Sequence, residues 1–154
     1  METTKQVSVF LENKPGRLGN VLSALAREKV NITALTVTDN VLRFVANDLP
    51  QTLQVLNGNS IPHSEAEVLV VELRNQPGAL AHICELLAAE HIQIDHCYCS
   101  AGAAKNGKTL GVFKVSNTEK AMRVMGGSAN NSVRRRGQGR PLRDRRAYSP
   151  PTLR

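Results

Sequence analysis

The chain has 154 residues, a formal charge of +7, 41% apolar residues and only 3% aromatic ones, so it fits one domain or two small ones with a core of Val, Leu, Ile and Ala. No apolar run reaches the roughly 18 residues of a membrane span, and Met1–Lys5 lacks the apolar stretch of a secretory leader, so a cytoplasmic location is the expectation. The charge is confined to one end: residues 126–154 hold eight Arg and one Asp, while the twelve Lys/Arg and twelve Asp/Glu of residues 1–125 cancel, so the positive excess does not mark the fold itself as nucleic-acid binding.

Val7-Ser8-Val9-Phe10-Leu11 reads as a short strand, starting near Lys5. Pro15-Gly16 breaks it. Leu18, Val21, Leu22, Leu25 and Ala26 then fall on one helical face, and Arg27 and Lys29 suit the helix C-terminus. Asn31 to Thr38 is rich in β-branched residues and predicts a strand. Asp39-Asn40 is turn chemistry, and Val41 to Val45 is the return strand of a tight hairpin. Asp48 is a candidate N-cap, with Pro50 in the first turn of a second helix. Asn57-Gly58-Asn59 stops that helix. Ile61 could begin a fourth strand, which Pro62 would keep short or at an edge.

The pattern then repeats. Ala66 to Leu73 predicts a strand, the stripe Leu80, Ile83, Cys84, Leu87 and Ala88 a helix, and Ile92 to Ser100 a strand. A Gly/Asn/Lys loop over 101–108 leads to a strand at Thr109–Val115 and a helix at Thr118–Met125, capped by Asn117 or Thr118. Asn13-Lys14-Pro15-Gly16-Arg17-Leu18 reappears 62 residues later as Asn75-Gln76-Pro77-Gly78-Ala79-Leu80, and Val30-Asn31-Ile32 as Ile92-Gln93-Ile94. After the hairpins the offset is 69, with Phe44 matching Phe113, Leu53 Met122 and Val55 Val124. A register held through four elements marks an internal duplication. The reading is α+β: a first unit over 5–65, a second over 66–125 whose last strand is missing, and a disordered Arg-rich tail over 126–154.

The stretches FLENKPGRLGNVLSALAREKVNITALTV and VELRNQPGALAHICELLAAEHIQIDHCY resemble the ACT domain, and the pair resembles stand-alone tandem ACT proteins. The resemblance covers roughly Lys5 to Met125. It implies two ferredoxin-like βαββαβ units with antiparallel sheets and helices on one face. It also implies a regulatory module, without catalysis, that binds an amino acid or similar metabolite at an interface between units. The ligand-facing positions it implies are Asn13, Lys14, Pro15, Gly16, Arg17 and Leu18 with Asn31 and Ile32. In the second copy they are Asn75, Gln76, Pro77, Gly78, Ala79 and Leu80 with Gln93 and Ile94. Two departures stand out: the first hairpin is reduced to Asp39-Asn40, and the basic tail replaces the closing strand. A missing closing strand would leave a neighbouring strand edge exposed.

The turn has a chemical rationale of its own. It presents unpaired backbone N–H groups at a helix N-terminus, where the dipole favours an anion, and glycine leaves the backbone open to close approach. Lys14 and Arg17 make the first copy the more positive of the two; Gln76 and Ala79 replace them in the second. Cys84, Cys97 and Cys99 lie near His82, His91 and His96, but Cys-x-Cys on a strand puts both thiols on one face and His96 on the other. The second knuckle of a zinc site is absent, Cys84 falls in a helix stripe, and disulfides do not suit a cytosolic chain. Glu12, Glu72 and Glu85 read as solvated. No catalytic constellation, metal site or cofactor motif is marked, so the expectation is a non-enzyme with a small-molecule effector, open to homodimerisation and without a membrane partner. The rival reading is a nucleic-acid binder acting through its arginine tail on a ferredoxin-like scaffold.

Overall fold

Ten elements follow in the order the two half-repeats require: β1 (Glu2–Phe10), α1 (Arg17–Arg27), β2 (Ile32–Thr38), β3 (Val41–Ala46), α2 (Leu49–Gly58), β4 (His63–Arg74), α3 (Ala79–Ala89), β5 (Ile94–Cys99), β6 (Lys108–Val115) and α4 (Thr118–Asn131). They come from a computed structural model that describes residues 1–100 and 108–131. The loop expected over 101–108 therefore lies almost wholly outside the described residues, as does the Arg-rich part of the tail. Local chemistry accounts for the helix ends. Asp48 caps α2 through its side chain, accepting from the Gln51 N–H at 3.0 Å, with Pro50 in the first turn. Asn117 caps α4, accepting from the Lys120 N–H at 2.8 Å. That last helix continues past Met125 to Asn131, so the boundary expected at 126 falls inside it.

All six strands join one antiparallel sheet in the order β2-β3-β1-β4-β6-β5. β4 is a single strand of twelve residues that crosses the expected 65/66 division. Its first half pairs with β1 from His63 to Val70, and its second half pairs with β6 from Leu69 to Arg74. Lys5 faces Glu67 in that register, and these two residues are equivalents at the 62-residue offset. A local two-fold axis therefore passes between them, relating β1 to β4. His63–Ala66 serves as the fourth strand of the first unit, and Glu2–Thr4 fills the corresponding place in the second. The closing strand that seemed lost is thus supplied by the start of β1, and the β4 edge expected to lie bare is paired over Ala66–Val70.

The first hairpin is likewise sound. Asp39 and Asn40 have φ of 51° and 59°, the left-handed pair of a two-residue turn that matches the twist of the flanking strands. The Leu11 N–H donates to the Asn40 carbonyl at 2.7 Å, binding that turn to the end of β1.

Each unit buries its own core between the sheet and its two helices. Val7, Val9, Val21, Leu25, Phe44 and Leu56 centre the first core. Their equivalents Leu69, Val71, Ile83, Leu87, Phe113 and Met125 centre the second. The opposite face of the sheet curls so that β2 and β5 meet, enclosing Ala34, Val45, Val68, Val70, Tyr98 and Val112. Gln6 is buried there, with 1% of its surface exposed. Its Oε1 accepts from Tyr98 Oη and from His96 Nε2, both at 3.0 Å, so Nε2 is the protonated ring nitrogen. Both bonds run from the first unit to the second. Burial raises the Tyr98 hydroxyl far above its ordinary range and keeps it a donor. Burial, then the charge of Arg43, lowers the His96 pKa, with Lys114 adding to the effect and Asp95 opposing it.

Gln6→Ala is expected to cost about 2 kcal/mol, because it strands the buried Tyr98 donor and the half-buried His96 donor, and a urea midpoint with unchanged m-value would measure it. Tyr98→Phe should cost less, since His96 keeps its acceptor. The lowered His96 pKa has a defined sign. The unfolded chain takes up a proton near pH 6.5 while the folded one resists it, so stability falls as pH drops below about 6.5. The melting temperature of the native chain should therefore fall more steeply through that window than that of His96→Asn.

Candidate functional site

β1 ends at Phe10, and the chain must reverse onto the helix layer. Gly16 makes the reversal with φ 87° and ψ −12°, and Gly78 repeats it with φ 85° and ψ −12°. The left-handed conformation is why glycine stands at both places. The two turns match bond for bond. Lys14 N–H donates to the Glu12 carbonyl at 2.7 Å and Gln76 N–H to the Arg74 carbonyl at 2.8 Å. Asn20 N–H donates to the Gly16 carbonyl and His82 N–H to the Gly78 carbonyl, each at 2.9 Å. Neither helix has a side-chain cap. The N–H groups of Leu18, Gly19, Leu80 and Ala81 have no acceptor among the described residues, the condition for anion binding at a helix N-terminus.

The side chains differ more than the backbones. Glu12 Oε2 accepts from Arg17 Nη2 at 2.6 Å and lies 3.3 Å from Lys14 Nζ. The Lys14 and Arg17 contacts hold the exposed Glu12 carboxyl below the usual carboxylate range. Glu12 therefore removes one of the two positive charges that distinguish the first turn. At the 62-residue offset Arg74 replaces Glu12, so the Lys14–Arg17 turn and the Arg74 turn each carry one net positive charge. The expected contrast in charge between the copies is corrected accordingly, and Glu12, read from the sequence as a solvated carboxylate, is paired with both cations of the turn. Its position five residues before Arg17 was the available signal.

Asn13 to Leu18 and Asn75 to Leu80 each form one continuous turn, with Leu18 half-buried against the first core and Leu80 41% exposed. Asn31, Ile32, Gln93 and Ile94 are not brought to the turn of their own unit. Each pair stands beyond the far end of α1 or α3, roughly 16 Å away at 1.5 Å per residue. Asn31 N–H donates to Asn47 Oδ1 at 2.9 Å, and Asn47 N–H returns a bond to the Asn31 carbonyl at 3.0 Å. Gln93 and Ser116 repeat this exchange at 3.1 and 2.9 Å. Ile32 and Ile94 pack against the two cores. These four residues brace the start of β2 and β5.

Beside the first turn lies a cleft of about 490 Å³, within the range of small-molecule sites. α1 forms one wall, presenting Arg17, Asn20, Ser23 and Arg27. The connection from α2 to β4, Asn59 to Pro62, forms the other, with Leu11, Val21 and Phe10 between them. Phe10 is 66% exposed, a large apolar side chain left in water at the cleft. The corresponding residues of α3 are Ala79, His82, Glu85 and Ala89, so the second unit does not reproduce this lining.

The chain matches the ACT domain pair family over residues 2–133. It belongs to that family. The ACT pair is similar to the crystal structure of protein BT0572 from Bacteroides thetaiotaomicron, at 33% identity and a TM-score of 0.76, over 82% of this chain and 89% of that one. Its fold is shared with the regulatory subunit of aspartate kinase from Thermus thermophilus, solved ligand-free, at 15% identity and a TM-score of 0.58, over 82% and 93% of the two chains. It is shared also with E. coli aspartokinase III in complex with lysine and aspartate, at 16% identity and a TM-score of 0.56, over 85% of this chain and 31% of that one. No curated protein sequence matches.

Elsewhere in the ACT pair, Cys97 and Cys99 are exposed on one side of β5, while His96 turns to Gln6 on the other. Among the described residues, no group of three or more His, Cys, Asp or Glu is placed to hold a metal ion, and no helix is long and apolar enough to cross a membrane.

Gly16→Ala and Gly78→Ala are each expected to destabilise the protein by about 1–2 kcal/mol through the left-handed backbone alone. An added Cβ meets nothing within 4 Å at either place, so no steric cost is superimposed. Chemical denaturation of the two variants measures this.

Proposed function

We propose that this ACT pair is a non-catalytic regulatory module whose first unit binds an amino acid or a closely similar metabolite at the Asn13–Leu18 turn and its adjoining cleft. The observation that carries the reading is the convergence of three features at one place. An uncapped helix N-terminus stands on a left-handed glycine, Glu12 and Arg17 form an ion pair there, and a ligand-sized cleft opens on both. An amino acid offers a carboxylate to the guanidinium and helix N–H groups, and an ammonium to Glu12. The aspartate kinase regulatory subunit and aspartokinase III share this fold at low identity, which supports a regulatory role for the module without specifying its ligand.

Regulation then follows from linkage. A ligand that binds one arrangement of the ACT pair better than another stabilises that arrangement by its differential affinity. The second turn, at the other end of the sheet and across the two-fold axis, keeps the backbone geometry but lacks the acid beside it. The two units are therefore unequal, and the first is assigned as the effector site.

A thermal-shift screen of the full chain against the twenty amino acids tests the proposal. At a hundredfold excess over Kd, a true effector stabilises by about 2.7 kcal/mol, a rise of several degrees in melting temperature. No shift with any amino acid, together with no heat on titration, overturns it. Glu12→Gln should abolish most of the shift and leave the unliganded melting temperature within about 1 °C, because exposed ion pairs contribute little to stability.

A further inference from the structure

The cleft beside the first turn joins an ion pair to an apolar surface. Arg17 Nη2 at 2.6 Å and Lys14 Nζ at 3.3 Å share one oxygen of Glu12, Oε2. Glu12 Oε1 and the other guanidinium N–H groups of Arg17 have no partner among the described residues, so the pair can still accept an ammonium on the acid and a carboxylate on the base. Phe10 stands two residues before Glu12. Chain geometry alone holds their Cα atoms within about 7 Å of each other, and both residues line the cleft. Phe10 is 66% exposed, and half-buried Leu11 and Ile61 with buried Val21 continue the apolar lining. A small-molecule site is ordinarily built this way, from apolar walls and a few polar groups that fix orientation. At the 62-residue offset Phe10 and Glu12 become Glu72 and Arg74. Glu72 is exposed and pairs with Lys108 at 2.7 Å, so the fold itself does not require an aromatic ring at this position.

We infer that the preferred ligand is an α-amino acid with a large apolar side chain, aliphatic or aromatic. Its ammonium lies on Glu12, its α-carboxylate on Arg17, and its side chain covers Phe10. A polar or charged side chain would have to give up water to face that surface, and the methyl group of alanine would leave the ring in solvent. This rests on the reading of the first turn as an amino-acid site and adds the class of side chain. It also accounts for the single site. In the second unit a carboxylate paired with Lys108 stands in place of the ring, and a guanidinium stands in place of Glu12.

Titration calorimetry on the full chain tests it, with L-leucine, L-phenylalanine, L-alanine and L-asparagine as probes beside the other amino acids. L-leucine or L-phenylalanine should bind at least tenfold more tightly than L-alanine, the gain from several further carbons removed from water. The same margin is expected over L-asparagine, which has nearly the shape of leucine but carries a polar amide. The deaminated acids 4-methylpentanoate and 3-phenylpropanoate should each bind at least tenfold more weakly than the parent amino acid, because they offer nothing to Glu12. Phe10→Ala should weaken the preferred amino acid about tenfold, toward the affinity of L-alanine. Because the ring is exposed, the unliganded variant should melt within about 2 °C of the native chain. Equal affinities for L-leucine, L-phenylalanine and L-asparagine, or tight binding of a polar or charged amino acid alone, overturn the apolar side-chain inference and leave the amino-acid reading standing. An affinity unchanged by Phe10→Ala overturns the placement against the ring. Absence of heat with every amino acid removes both readings.

Discussion

The pairing of β1 with β4 is the constraint on which the rest of the molecule depends. Two antiparallel strands related by a duplication can pair about their own two-fold axis only if some residue faces its own equivalent. Here Lys5 faces Glu67. The facing charges are opposite, which favours the pair, and every other pairing in the ladder follows once that one is set. Because the side-chain period of a strand is two, a slip by one residue would send Val7 and Val9 to the concave face and Gln6 into the first core. The register is thus held from both sides, by apolar residues that must face the helices and by a glutamine that must not.

That pairing also solves the problem of the fourth strands. A ferredoxin-like unit needs a strand beside its first, on the side away from its third. In this chain each unit takes that strand from the leading half of the other unit's first strand. Neither unit is complete alone, so the two fold as one sheet with a shared centre. Gln6 strengthens the union from the concave side, reaching from the first unit to His96 and Tyr98 of the second. β1 therefore belongs to both units, and the first turn at its end is joined through it to the second unit.

The two Pro-Gly turns show how a duplicated backbone can diverge in chemistry. Their hydrogen bonds agree to within about a tenth of an ångström, because the left-handed glycine and the helix start dictate them. Their side chains are free of that constraint. Glu12 between Lys14 and Arg17 makes the first turn a site with both signs of charge, and Arg74 makes the second simply cationic. The difference in charge character between the two turns is decided by a single acid.

Much of this was legible in the residues themselves. Helical and strand periodicities placed the four helices and six strands of the described residues, and the 62-residue offset paired Asn13–Leu18 with Asn75–Leu80 and Val30–Ile32 with Ile92–Ile94. Asp48 declared its cap, Asn117 was one of two candidates for the cap of α4, and Pro-Gly declared its turn, because a cap or a turn is settled within about four residues of chain. The Asp39-Asn40 hairpin was readable in place but misjudged in quality, since its soundness rests on two positive φ angles. What only the tertiary structure decided concerns neighbours far apart in sequence: that β4 serves two units, that β1 closes the second, that Gln6 meets His96, and that Asn31 and Gln93 brace strand starts away from the turns. Those facts depend on which distant segments are brought together, and strand register across 60 residues is set by the collective burial of two cores, which no local pattern records.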